Sequence, residues 1–137
     1  MNRRFSSIIS RVLAYLWAAP NTLLGLGCGI LGLLCGGKVQ LRQGCIEFYG
    51  GGLAYVLRRL PPNGVRAITI GHAILGLNER ELDQCRKHEQ VHVRQYERWG
   101  VAFIPAYLSC SFYLWLLEKD FYRANPFEVE AFSCERE

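Results

Sequence analysis

Charged side chains are missing from two long stretches of this 137-residue chain. Neither segment 12–37 nor segment 101–117 contains an acidic or basic residue. Each approaches the roughly 20 apolar residues that a helix needs to cross a bilayer, and a chain this short cannot wrap both segments in other protein. The sequence therefore predicts one or two membrane-associated apolar helical segments and argues against an ordinary soluble domain.

The first apolar segment has the position of a signal peptide, since Arg3 and Arg4 precede it. It is too long for a signal-peptide core, and Pro20 follows the small residues Ala18 and Ala19, which makes a poor cleavage site. We therefore expect segment 1–37 to be retained. Proline disfavours helix, so this segment is either a single span or a re-entrant hairpin broken at Pro20.

The six cysteines include no CxxC pair and no compact disulfide spacing, so the pattern does not indicate a secreted disulfide scaffold. The net charge of +4 is a mild excess, and we expect no nucleic-acid partner. Basic residues flank the first apolar segment on both sides, as the positive-inside rule requires of cytoplasmic flanks. These residues are expected to contact membrane lipid. The sequence does not indicate an oligomeric state.

Segment 38–137 is expected to form a core domain that includes the apolar helix 101–117. Residues 38–49 predict a β-hairpin that turns at Gln43-Gly44, and the β-branched run 65–75 predicts a third strand.

Two helices are predicted after these strands. Asn78 is a good N-cap with Glu81 three residues later, and Gly100 is placed to end that helix. Asn125-Pro126 begins a final helix. The predicted fold class is α+β, with a small antiparallel sheet packed on these two helices.

The first of these helices carries His88-Glu89-Gln90-Val91-His92. Residues four apart share one helix face, so both histidines can bind one metal ion. Glu89 lies about 100° around the helix, too far back to bind the ion but well placed as a base acting on zinc-activated water. The HExxH motif thus predicts a Zn²⁺ site with Glu89 as the catalytic residue. The alternative is a solvated helix with ordinary surface histidines.

Catalytic zinc keeps one coordination position open, so a third protein ligand is needed. Glu128 falls in the first turn of the final helix, after Asn125 and Pro126, and Glu130 points about 200° away from it. We therefore expect Glu128 to be the third ligand. The alternative is that Glu128 only completes a capping box with Asn125.

Three segments carry a family resemblance: residues 68–75 (ITIGHAIL), 88–92 (HEQVH) and 128–131 (EVEA). They resemble the gluzincin-type membrane zinc metallopeptidases, which include CAAX prenyl proteases and antibiotic-sensing receptor peptidases. The resemblance implies a strand before the active-site helix and a glutamate of an E-x-x-A-D-like segment as third ligand. Phe132 stands where that family often has Asp, so that position does not supply a carboxylate to orient a ligand histidine. Residues 88–100 and 125–131 also resemble a family of small bacterial proteins with no assigned substrate.

The resemblance implies a membrane-associated, zinc-dependent peptidase that acts on a peptide or protein substrate. We expect a bacterial inner membrane with the active site on the cytoplasmic side. Ile70, Gly71 and His72 on the strand, and Tyr96 on the helix, are candidate substrate-binding residues, although a packing role is the simpler interpretation for His72 and Tyr96. The alternative function is a non-catalytic, zinc-stabilised membrane module that binds protein partners or lipid.

Overall fold

The computed structural model describes residues 3–136, and the fold is α+β with a four-stranded sheet. A 3₁₀ turn, Gly100–Ala102, joins the third helix to the fourth. The helices are α1 (Arg3–Leu34), α2 (Gly51–Leu57), α3 (Glu79–Trp99), α4 (Phe103–Leu116) and α5 (Pro126–Glu135). The strands are β1 (Lys38–Arg42), β2 (Cys45–Tyr49), β3 (Ala67–Ile70) and β4 (Ala73–Gly76).

The sheet is mixed, so the prediction of a purely antiparallel sheet is wrong. Its order is β1-β2-β4-β3, in which β2 and β4 run parallel and the other pairs antiparallel. The run 65–75, predicted as one strand, is a tight hairpin because the chain reverses at Gly71, where φ is +65°. As a result β4 lies inside the sheet and β3 forms its edge.

Helices cover both faces of the sheet. On the α3 face, Leu82, Cys85 and Val93 form one core with Cys45 and Ile74. On the other face, α1 and α2 pack on a second core that is centred on Phe48, Ala73 and Leu75.

Small residues form the face of α1 that packs on the rest of the protein. The buried positions recur every three or four residues along the helix, the spacing of one helix face. At Gly29, an added Cβ would overlap the ring of Phe48. These positions are Ala18, Asn21, Gly25, Gly29 and Gly32.

Helix α1 continues unbroken through Pro20, which contradicts the re-entrant hairpin. Packing on both sides of the proline holds the helix, since Ala18 is fully buried and Asn21 Nδ2 donates a hydrogen bond to the Gly100 carbonyl oxygen at 2.8 Å. At 1.5 Å per residue, α1 is about 48 Å long, more than a hydrocarbon core requires.

Two helical segments, Ser7–Leu34 and Glu79–Leu116, are long and apolar enough to cross a membrane. Both carry large apolar side chains that face away from the rest of the protein. On α1 these include Leu13, Leu16, Leu23, Leu24 and Leu31, and on α4 Leu108, Phe112, Trp115 and Leu116.

Both predicted ends of α3 and the predicted start of α5 are confirmed. Asn78 caps α3 by accepting a hydrogen bond from the Glu81 amide at 2.9 Å, and the helix ends at Trp99 before Gly100. Asn125 caps α5 by accepting from the Phe127 amide at 3.1 Å. The two helices pack on each other, which brings the first turn of α5 to the middle of α3.

Candidate metal centre

His88 and His92 lie on one face of α3, and both are buried, which contradicts the alternative of surface histidines. Their Nε2 atoms are 3.2 Å apart. The imidazoles meet edge to face, with ring centroids separated by 4.9 Å. The i, i+4 spacing therefore aims both nitrogens at the same point.

Glu128 of α5 completes this arrangement. Its Oε2 lies 3.0 Å from His88 Nε2, and its Oε1 lies 3.4 Å from His92 Nε2. Ligands held tetrahedrally at zinc bond lengths are roughly 3.4 Å from one another. The three side chains thus have the chemical identity and spacing of a group that could hold a metal ion.

Glu128 does not act as a cap. Its carboxylate accepts a hydrogen bond from the Tyr107 hydroxyl at 2.6 Å and faces the two histidines, while Asn125 alone caps α5. Glu130 points away from the histidines, accepting hydrogen bonds from Gln95 at 2.8 Å and Arg98 at 2.6 Å. The predicted helix rotation, with Glu128 towards the histidines and Glu130 away, is confirmed.

The charge state of Glu128 suits metal binding. Burial by itself would raise the pKa of this carboxyl group, but hydrogen bonds with His88, His92 and Tyr107 outweigh burial and lower the pKa to about 2. Glu128 is therefore an anion at any physiological pH, as a carboxylate ligand must be.

Gln95 fixes the tautomer of His92. Its Nε2 donates to the Phe127 carbonyl oxygen at 3.0 Å and to a Glu130 carboxylate oxygen at 2.8 Å, and both partners are acceptors only. The amide oxygen must therefore be the atom that faces His92 Nδ1, at 2.8 Å. Nδ1 therefore carries a proton, and Nε2, which faces Glu128, is the nitrogen that can bind a metal ion once any proton on it is released.

His88 has a carboxylate neighbour from an unexpected position. Phe132, at the place where the resembled family often has Asp, packs its ring edge to face on His88 with centroids 4.7 Å apart. One turn later, Glu135 Oε2 lies 3.7 Å from His88 Nδ1. A carboxylate on this side favours a proton on Nδ1, so Nε2, which faces Glu128, is again the nitrogen that can bind a metal ion.

Glu89 is buried beside the histidines and is positioned by the edge strand. The Thr69 hydroxyl of β3 donates to Glu89 Oε2 at 2.6 Å. Both side chains are about 5% exposed. The carboxylate of the HExxH motif is thus held by a single hydroxyl and keeps further lone pairs for another hydrogen bond.

A cavity of about 430 Å³ opens onto these residues. Strand β3 and the loop before it form one wall, α4 forms another, and His88, Glu89, His92 and Glu128 lie together in the lining. Two of the four candidate substrate-binding residues, Ile70 and Tyr96, also line it.

The other two, Gly71 and His72, are not in the lining of the cavity, so their assignment to substrate binding stays a prediction that the cavity does not support. His72 stacks on Tyr15 at 4.2 Å between ring centroids, and its ring nitrogens lie 3.1 Å from Thr22 Oγ1 and 2.9 Å from Glu97 Oε1. The hairpin turn directs Gly71 and His72 towards α1, whereas a single long strand would not.

Sequence reasoning missed several side chains of the site. Thr69, Tyr107 and Glu135 carry no motif, because their roles depend on which elements pack together. Tyr122 also lines the cavity, and burial, followed by the charge of Glu128, raises its pKa. Gln95 was not missed: helical spacing places it within reach of His92, although packing was the simpler interpretation of its role.

No family model matches this chain, and comparisons with curated proteins and with solved structures found no significant match.

Proposed function

We propose that this protein is a membrane-associated, zinc-dependent peptidase. The observation that carries the proposal is the convergence of three buried side chains, His88, His92 and Glu128, on one point in the wall of a cavity that also contains Glu89. Two imidazoles and one carboxylate, with a position left for water, are a typical ligand set of catalytic zinc.

When bound, zinc supplies a Lewis acid that polarises a carbonyl group and lowers the pKa of water. Glu89 is the general base: it accepts the proton of the attacking water and passes it to the leaving amine. Thr69 keeps one Glu89 oxygen oriented, and the other is free for the proton transfer. Tyr107 holds Glu128 in place from the α4 side.

Strand β3 provides the place for an extended substrate. Within the described residues it is an edge strand that pairs only with β4. Its Thr69 side chain lies within hydrogen-bonding distance of Glu89. A peptide added along this edge would run past the catalytic carboxylate and be held by main-chain hydrogen bonds. Ile70 lies in the same wall.

Membrane association is part of the proposal. The apolar side chains exposed along α1 and α4 form larger apolar surfaces than a soluble monomer tolerates. The proposal includes an inner-membrane location with the centre on the cytoplasmic side. Because α1 is continuous, only one of its two basic flanks lies in the cytoplasm if α1 spans the bilayer, so the positive-inside rule does not decide this orientation.

Metal content and hydrolysis test the proposal together. Purified protein should contain about one zinc per chain, and His88→Ala or His92→Ala should each abolish zinc binding. Glu89→Gln should keep the zinc and lose hydrolysis of a mixed peptide substrate. Zinc binding without any hydrolysis by the wild type would favour the alternative, a zinc-stabilised membrane module.

A further inference from the structure

The cavity offers no spare charge to a substrate. Apart from tyrosines, the ionisable side chains in its lining are the four of the centre itself, His88, Glu89, His92 and Glu128. Each of these has a role within the centre: Glu128 faces the two histidines and Tyr107, and Glu89, oriented by Thr69, is the general base of the proposed reaction.

Recognition of a chain end needs such a charge. An exopeptidase must pair with a terminal ammonium or carboxylate, and a protease that selects a charged side chain needs an opposite charge in its pocket. Burying an unpaired charge in an apolar site is costly. A peptide bound here must therefore present uncharged groups on both sides of the cleaved bond.

The walls of the cavity are apolar and continue onto the outer surface of α4. The loop before β3 contributes Leu60, Pro62 and Val65 to these walls, and α4 contributes Ile104 and Leu108. Leu108 is also 59% exposed, in the same apolar surface as Phe112 and Trp115. The cavity is thus continuous with the exposed apolar surface of α4, which we assign to the bilayer.

We propose that the substrate is an internal, uncharged, apolar segment of a membrane-inserted polypeptide, which makes the protein an endopeptidase. This inference rests on the proposed function and specifies the substrate class of the same site. The segment lies extended along β3 with its side chains against the apolar walls, and it enters from the α4 side.

Matched peptides test the substrate class with the full-length, zinc-loaded protein in detergent. The reference peptide is acetylated and amidated, with an apolar core of Leu, Val and Phe between flanking lysines. Two relatives carry one Asp or one Lys in the core, and a third has a free amino terminus directly before the core. We expect cleavage inside the core of the reference peptide. For either peptide with a charged core, kcat/KM should be at least about tenfold lower, because burying the charge costs about 1.4 kcal/mol or more.

The third relative should also be cut inside its core, with no stepwise release of terminal residues. Preferred cleavage of a charged core, or release of single residues from the free end, would overturn the inference and leave the proposed function standing. If the protein cleaves neither the four peptides nor a mixed peptide substrate, both the inference and the proposed function are overturned.

Two leucines of α4 provide a matched pair of variants. Leu108 lines the cavity, whereas Leu116 does not, and their exposed fractions are 59% and 58%. Leu108→Lys should raise kcat/KM for the Asp-containing core relative to the reference core, because it adds a positive charge to the wall. Leu116→Lys should leave that ratio unchanged. Equal ratios in both variants would show that the substrate does not lie against the α4 wall.

Discussion

The amide oxygen of Gln95 lies 2.8 Å from Nδ1 of His92, and the orientation of that amide is set by Phe127 and Glu130 of α5. The start of α5 thus supplies Glu128 as a ligand candidate and also determines which nitrogen of His92 is free to bind. Replacing Gln95 by Leu removes the acceptor for Nδ1–H while keeping a similar side-chain volume. Zinc affinity, measured by chelator competition, should fall about ten- to a hundredfold.

Gln90→Leu is the control for that experiment. Gln90 lies on the same helix, half-buried, and donates only a weak hydrogen bond to Cys45 Sγ at 3.4 Å. Its replacement should leave zinc affinity unchanged. Similar losses in both variants would show that the helix, and not the tautomer of His92, responds to the substitution.

Glu128→Gln tests the third ligand. A neutral amide oxygen is a much weaker zinc donor than a carboxylate, so zinc affinity should fall at least about tenfold. Glu130→Gln should have a much smaller effect, because the amide oxygen can still accept the hydrogen bond of Gln95. Isothermal titration of both variants with zinc compares them directly, and a loss confined to Glu130→Gln would contradict the proposed ligand set.

Thr69→Val tests the orientation of Glu89. The substitution keeps the side-chain shape and deletes the hydroxyl that donates to Glu89 Oε2. We expect kcat to fall at least about tenfold, because a general base that is no longer oriented loses part of its contribution to the rate. Zinc affinity should be unchanged. Thr69→Ser retains the hydroxyl and should restore kcat. An unchanged kcat for Thr69→Val would mean that Glu89 needs no support from β3.

Membrane association predicts that the protein sediments with membranes and needs detergent for extraction. The physical reason is the apolar surface of α1, where Leu16, Leu23 and Leu31 are each more than half exposed. Fractionation after an alkaline wash, followed by size-exclusion chromatography, measures both properties. A monodisperse preparation of the full chain without detergent would contradict the prediction.

Gly27 and Gly29 provide a matched test of how α1 packs. An added Cβ at Gly29 would overlap the Phe48 ring, whereas one at Gly27 would meet nothing within 4 Å. Alanine is the better helix former, so Gly27→Ala should be neutral or stabilising, by up to about 1 kcal/mol. Gly29→Ala should be the less stable variant by about 1 to 3 kcal/mol because of overpacking. Thermal unfolding in detergent compares the two, and equal midpoints would mean that α1 is not packed on the sheet.

Local sequence patterns determined the helices and the orientation of the key side chains. The bounds of α3 follow from Asn78 and Gly100, and the start of α5 follows from Asn125-Pro126. Helical periodicity was sufficient to place His88 and His92 on one face and to turn Glu128 and Glu130 apart, because these relations depend only on the 3.6-residue repeat.

Relations between elements were decided by the tertiary structure. The positive φ of Gly71 divides one apolar run into two strands, makes the sheet mixed and turns His72 to α1. Gly71 was only a weak local signal, because an isolated glycine in a strand also marks a bulge or a close backbone approach. Pro20 stays inside a helix because packing around Ala18 and Asn21 outweighs its local preference. The contacts of Thr69, Tyr107 and Gln95 in the centre exist only because β3, α4 and α5 pack against α3, so long-range packing, which local patterns do not encode, completes the site.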